Sequence, residues 1–122
     1  MAEKNELIIC IVNNGWAEQV MDAAREAGAG GGTILSGRGT ADKKAEAFYN
    51  ISIQPEKDAV MLIVPSEITD RVLHALYRKV GLETPGQGIA FSLPVNRAVG
   101  LRTRTDEKNG EKSDGAGGKN ES

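Results

Sequence analysis

Four apolar stretches of strand length are spaced along the chain. Residues 7–12 and 59–64 are each six consecutive apolar residues rich in β-branched types, ended by turn residues or by a proline. Two weaker stretches follow glycine-rich turns, at 33–35 and at 89–95 with a continuation at 98–101. The pattern predicts four β-strands, with residues 59–64 as the clearest central strand.

Apolar residues recur at helical spacing in two of the segments between these strands. The first segment follows Asn13-Asn14-Gly15, where an asparagine can cap the helix, and ends at Gly28. The second begins at Ser66, a capping residue, and ends at Gly81. Their apolar positions are Trp16, Val20, Ala23, Ala24 and Ala27 in the first helix and Ile68, Val72, Ala75 and Leu76 in the second.

The predicted order is strand, helix, strand, loop, strand, helix, strand, which is typical of the ferredoxin-like split βαβ arrangement. We therefore predict an α+β fold, a βαββαβ sandwich whose four-stranded antiparallel sheet carries two helices on one face. Two helices cover only one face, yet residues 7–12 and 59–64 are apolar at every position. The other face needs a partner of the same kind, which predicts an oligomer with its sheets facing inward.

Two segments lack such a pattern. Residues 40–56 are polar at first and then alternate only weakly, which predicts a mobile loop. From Arg102 onward Ala116 is the only apolar residue, so this segment cannot bury enough surface to offset the entropy of ordering it. We assign residues 1–103 to one domain that contains the loop, and residues 104–122 to a disordered polar tail.

Composition narrows the classes of function. The 122 residues suffice for one compact domain, and 15 basic against 17 acidic residues form no basic stripe of the kind that nucleic acid requires. The apolar runs are too short to span a membrane. Charged residues near the start, Glu3, Lys4 and Glu6, do not fit a signal peptide, so we expect a cytoplasmic protein without direct membrane insertion.

Residues that could support catalysis or bind a metal are scarce. His74 is the only histidine and falls among apolar neighbours of the second helix, and the single cysteine, Cys10, lies inside the first strand. The adjacent carboxylates Asp106 and Glu107 are in the tail, where no cavity would raise a carboxyl pKa for acid catalysis. We predict no catalytic residues and no metal site.

Three glycine-rich turns are the remaining candidates for chemistry. They are Gly30-Gly31-Gly32-Thr33, Gly37-Arg38-Gly39-Thr40 and Thr84-Pro85-Gly86-Gln87-Gly88. Glycines let backbone amides approach an anion, and an arginine adds a fork of donors, so converging turns could bind phosphate. None of them matches a Walker or Rossmann fingerprint. On composition alone, tight turns in a small sheet protein are the commoner explanation.

In order and spacing these turns resemble the PII signal-transduction family (nitrogen regulatory protein P-II), and in particular its PII-like branch. The resemblance covers about residues 7–102 and is carried by Gly31-Gly32-Thr33, by Arg38-Gly39-Thr40, by Pro55-Glu56-Lys57 before a strand, and by the run Thr84-Pro85-Gly86-Gln87-Gly88-Ile89-Ala90-Phe91. It implies a cytoplasmic regulator that is not an enzyme, forming a homotrimer with an adenine nucleotide (ADP, AMP or ATP) in each cleft between subunits.

The resemblance also implies roles for individual residues. Gly37, Arg38 and Gly39, together with Gly86, Gln87 and Gly88, would hold phosphates. Gly32 and Thr33 of the adjacent subunit would meet the adenine, and Arg102 would reach phosphate from that neighbour. The loop at 40–56 corresponds to the family's effector loop, whose candidate contacts to a membrane transporter or metabolic enzyme are Lys43, Lys44, Phe48 and Tyr49.

Two departures from the family pattern bear on the ligand. Classical members of the family have a lysine where this chain has Ile89 and a second arginine where it has Gly100. The loss of two cations weakens triphosphate binding, so we expect ADP, AMP or another adenylated ligand to be preferred over ATP. Tyr49 lacks most of the surroundings of the family's modified tyrosine, and we interpret it as a loop contact rather than a modification site.

Two other functions stay open at this point. The first is a binding module of the same fold for a different small ligand or a metal ion, which could use Asp42, Glu46 and Glu56, although a solvated charged loop is the better explanation of these carboxylates. The second is a small ferredoxin-like enzyme, which ranks last because the chain has no cluster of acid, base and nucleophile.

Overall fold

A computed structural model describes residues 4–40 and 55–101 of the chain. The elements are β1 Asn5–Asn13, α1 Ala17–Glu26, β2 Gly32–Arg38, β3 Glu56–Pro65, a 3-10 turn Ser66–Ile68, α2 Thr69–Val80 and β4 Ile89–Val95. Predictions about the loop residues Lys43, Lys44, Phe48 and Tyr49, about Arg102, and about the tail lie outside the described residues.

The four strands form one antiparallel sheet in the order β2-β3-β1-β4, so the predicted ferredoxin-like arrangement is confirmed. Pro94 lies within β4, which is tolerated because β4 is an edge strand that needs hydrogen bonds on one side only. Residues 98–101, expected to continue the last strand, lie outside β4.

The start of α1 differs from the prediction. Its N-cap is Trp16, with no side-chain cap bond, so the expected asparagine cap is wrong. Asn14 instead donates to the Asp58 carboxylate at 3.2 Å, and the Gly15 amide donates to the same carboxylate at 3.1 Å. The Asn14 side chain is thus directed to β3 rather than to the helix end. Ser66 likewise starts a 3-10 turn before α2 and does not cap the helix.

One face of the sheet is buried under both helices. Alternate residues of the two central strands are almost inaccessible there, namely Ile8, Cys10 and Val12 of β1 and Val60, Leu62 and Val64 of β3. They pack with apolar residues of α1 and α2, including Val20, Ala24, Val72 and Leu76. Burial raises the pKa of the Cys10 thiol to about 12, which agrees with its predicted role as a packing residue.

The other face of the sheet carries the remaining alternate residues. By register, Thr33, Met61, Ile9 and Phe91 form one row across all four strands. Among the described residues of this face, Leu35, Ile63, Ile89, Phe91 and Leu93 are between 39% and 54% exposed. Nothing in residues 4–40 and 55–101 covers this apolar surface, which is the face that the sequence assigned to a partner.

Candidate functional site

The predicted binding residues lie at two opposite ends of the sheet. Gly32 and Thr33, at the start of β2, face Leu62 and Met61 of β3, whereas Gly37 and Arg38, at its end, face Lys57 and Glu56. Thr33 and Gly37 are four positions apart on the strand, which corresponds to about 13 Å. A single subunit therefore presents two half-sites, which we call the turn end and the groove end.

The turn end brings together the second and third glycine turns. Asn13, the last residue of β1, donates its main-chain N–H to the Gly86 carbonyl at 2.8 Å and its side-chain Nδ2 to the Pro85 carbonyl at 3.0 Å. These bonds hold the 84–88 turn against the end of β1. On β3, which lies between β1 and β2, Lys57 faces both Asn13 and Gly37.

Lys57 links the two glycine turns. Its Nζ donates to Asn13 Oδ1 at 2.8 Å, and its aliphatic chain passes so close to Gly39 that a Cβ there would lie 3.3 Å from Lys57 Cε. Lys57 is the middle residue of the row Gly37, Lys57, Asn13, so it brings a cation between the two turns. Neither Lys57 nor Asn13 was predicted to bind the ligand.

In the third turn, the backbone N–H groups of residues 86–88 already donate hydrogen bonds within the chain. Gly86 N–H donates to Thr84 Oγ1, Gln87 N–H to the Thr84 carbonyl, and Gly88 N–H to the Val80 carbonyl. Gly88 is also sterically required, because an added Cβ would lie 2.5 Å from Val80 O and 2.8 Å from Val12 Cγ1. The side chains at this end that can donate to a phosphate are those of Lys57, Gln87 and, at the end of β2, Arg38.

The groove end is a cavity of about 660 Å³ between the Gly28–Gly32 segment, the end of β3 and the start of α2. Gly32 and Thr33 line it, and its floor is apolar: Met61, Ile63, Pro65, Ile68 and Leu101. Arg71 stands at its side and donates Nε–H to the Ala27 carbonyl at 2.9 Å. Arg102 directly follows Leu101 in sequence, but its position lies outside the described residues.

Sequence signals for the two missed residues were present but weak. Asn13 directly follows the first apolar run, and Lys57 lies two positions before the second, within the Pro55-Glu56-Lys57 motif that carries part of the family resemblance. Their proximity depends on the β1–β3 register. Within residues 4–40 and 55–101, no group of three or more His, Cys, Asp or Glu side chains is arranged to hold a metal ion.

The family model for nitrogen regulatory protein P-II matches residues 5–105, which is most of the chain. The chain belongs to the P-II family. A search of curated proteins found no match. P-II proteins are signalling regulators, and within the described ranges no helix of this member is long and apolar enough to cross a membrane.

Solved structures agree with this P-II assignment at the level of the fold. A candidate PII-like signalling protein from Thermus thermophilus matches with a TM-score of 0.58 and 18% identity, over 76% of this chain and 87% of that one. GlnK from B. subtilis, solved as a complex with ATP, gives 0.59 and 18%, over 84% and 92%. Arabidopsis thaliana PII, bound to citrate, gives 0.59 and 22%, over 86% and 85%.

Proposed function

We propose that this P-II protein is a homotrimeric sensor that binds an adenine nucleotide in the clefts between subunits and regulates a partner protein through the loop at 40–56. The observation that carries the proposal is the separation of the two half-sites along β2. The turn end offers charged and amide side chains suited to phosphates, and the groove end offers an apolar floor suited to a base. A second copy of the chain can bring a groove end to a turn end.

The uncovered face of the sheet supports the assembly. Its exposed apolar residues would be buried if three sheets faced one another, and this contact would place neighbouring subunits edge to edge. Gly32, Thr33 and Arg102 would then belong to one subunit of each cleft, and Gly37–Gly39 with Gly86–Gly88 to the other.

The cations available favour a short phosphate chain. Ile89, which stands where classical members have a lysine, is 54% exposed on the uncovered face, directly after the turn end. Lys57 supplies one ammonium group there and Arg38, on the end of β2, one guanidinium. With these two cations and Arg102 of the neighbouring subunit, but without the lysine and the second arginine of classical members, we expect ADP or AMP to bind more tightly than ATP.

Isothermal titration of the purified protein with ATP, ADP and AMP, beside a light-scattering mass, tests this proposal. We expect three times the mass of the 13.0 kDa chain and one nucleotide bound per subunit. A trimer that ignores all three nucleotides would contradict the sensor function and leave the fold intact. Tighter binding of ATP than of the other two would contradict only the proposed preference.

A second candidate is a regulator of the same fold that responds to a different small anion. The Arabidopsis relative was solved with citrate, and the donors of the turn end suit carboxylates as well as phosphates. Citrate therefore belongs in the same titrations. Saturable citrate binding without any nucleotide response would favour this candidate.

The partner is proposed to be a membrane transporter or a metabolic enzyme that contacts Lys43, Lys44, Phe48 and Tyr49. Replacing Phe48 and Tyr49 together with alanine should abolish co-purification of the partner from native cells and leave nucleotide affinity unchanged. Retention of the partner by this variant would contradict the assignment of the loop.

A further inference from the structure

Asn13 is a buried polar residue at which three chain segments meet. Its side chain is 6% exposed and bonds in two directions, with Nδ2 donating to the Pro85 carbonyl at 3.0 Å and Oδ1 accepting from Lys57 Nζ at 2.8 Å. A carbonyl can only accept and an ammonium can only donate, so these partners determine the orientation of the Asn13 amide.

Asn13 holds Lys57 without neutralising it. The oxygen that accepts from the ammonium belongs to a neutral amide, and no carboxylate in residues 4–40 and 55–101 forms an ion pair with Lys57. A carboxylate at the same distance would cancel most of the charge that an incoming anion meets, whereas the amide fixes the position of the ammonium and leaves its charge available.

Asn13 also orients Gln87. Its Nδ2 lies 3.4 Å from Gln87 Oε1. Gln87 has a φ of 48°, in the left-handed region that residues other than glycine seldom adopt. With its oxygen turned to Asn13, Gln87 keeps its Nε2 group as a donor for a ligand. Two donors of the turn end are thus arranged around one buried amide.

We propose that Asn13 is a positioning residue, which places the Lys57 ammonium and the Gln87 amide for the anionic part of the ligand and does not contact the ligand itself. The inference rests on the proposed function, since it assigns to the turn end a multiply charged anion. The phosphates of a nucleotide and the carboxylates of an acid such as citrate share this chemistry, and both serve as probes below.

A double-mutant cycle on the native protein tests the inference, with ADP and citrate titrated in parallel. Lys57→Gln should weaken binding by about tenfold or more, because a charge-assisted bond to the ligand is lost. Asn13→Ala should weaken it by about threefold to tenfold. If Asn13 acts mainly through Lys57, the two losses are less than multiplicative, and the double variant binds only slightly more weakly than Lys57→Gln alone because Gln87 also loses its partner.

Asn13→Asp adds a second readout, its affinity relative to that of Asn13→Ala, and its free energy of unfolding is measured as well because a carboxylate cannot donate to the Pro85 carbonyl. It keeps a partner for Lys57 but pairs the ammonium with a full negative charge, so it should weaken binding more than Asn13→Ala does. It is also close in shape to the native residue and serves if Asn13→Ala fails to fold. Asn96→Ala, an exposed asparagine just beyond β4 at the other end of the sheet, is the matched control and should change affinity less than about twofold.

The outcomes separate the inference from the proposed function. If the losses of the two single variants multiply, or if Asn13→Asp binds as well as Asn13→Ala, the positioning role is overturned. ADP binding that neither substitution weakens overturns it too but leaves the sensor standing. If the native protein binds only citrate, the nucleotide proposal fails and the citrate cycle decides the role of Asn13. If the native protein binds neither ADP nor citrate, both the positioning role of Asn13 and the proposed function are overturned.

Discussion

The two faces of the sheet are built from the same kinds of residue but have different environments. On β3, Leu62 is 1% exposed under the helices, whereas its neighbour Ile63, on the opposite face, is 39% exposed. On β1 and β3 both faces are apolar, and α1 and α2 cover only one of them. Apolar composition therefore does not by itself decide burial: the subunit's own helices bury one face, while the other stays partly exposed among the described residues.

The largest effect on the stability of a subunit is expected on the helix-covered face. Leu62→Ala leaves a cavity in a close-packed core and should lower the free energy of unfolding by about 2–5 kcal/mol. Met61→Ala, on the next residue of the same strand, provides the comparison because its side chain points to the uncovered face. Urea denaturation of both variants measures the difference between their free energies of unfolding. The protein concentration is chosen so that light scattering gives both variants the same mass. Equal losses would contradict the contrast between the two faces.

A smaller loss of stability is expected for a substitution at Gly88, in the turn end. Gly88→Ala places a Cβ 2.5 Å from the Val80 carbonyl, so backbone must shift and the free energy of unfolding should fall by about 1–3 kcal/mol. Gly30→Ala, where a Cβ would meet nothing within 4 Å, is the matched control and should change stability by less than about 0.5 kcal/mol. Thermal unfolding of the pair decides whether packing at position 88 is as tight as described.

On the uncovered face we expect a change in mass rather than in subunit folding. Ile9→Lys puts a charge at the centre of the apolar row and should shift the light-scattering mass toward that of one chain, with circular dichroism largely retained. Tyr77→Lys is the control, since Tyr77 is 70% exposed on α2 in the helical layer. An unchanged mass for Ile9→Lys would show that this face is not the interface.

The smallest effect concerns Cys10 at neutral pH. Its pKa is raised from 9.0 to about 12 by burial, so the folded state favours the neutral thiol. The stabilisation that this shift contributes is complete below pH 9 and is lost as the pH rises toward 12. Cys10 should therefore resist iodoacetamide at about pH 8 in the native protein and react when urea unfolds it. Rapid labelling of the native protein would show that the covered face opens readily.

The sequence allowed the fold to be predicted further than the site. The element order, the two glycine-terminated helices and the apolar runs were enough for the ferredoxin-like arrangement, because each depends on local periodicity. The capping asparagines were predicted wrongly, since Asn14 has a stronger option in the Asp58 carboxylate, 44 residues away. A long-range bond of this kind leaves no local signal.

The sequence was enough to establish that the sheet has more apolar surface than two helices can cover, and that three glycine-rich turns lie between its elements. Only the tertiary structure decided that Gly37–Gly39 and Gly86–Gly88 lie at one end and Gly32 and Thr33 at the other, because the register of β2, β3 and β1 sets these positions. It also decided that Lys57 and Asn13 meet between the two turns. Such contacts join residues far apart in the chain, and the pairing of strands, rather than any local preference, brings them within hydrogen-bonding distance.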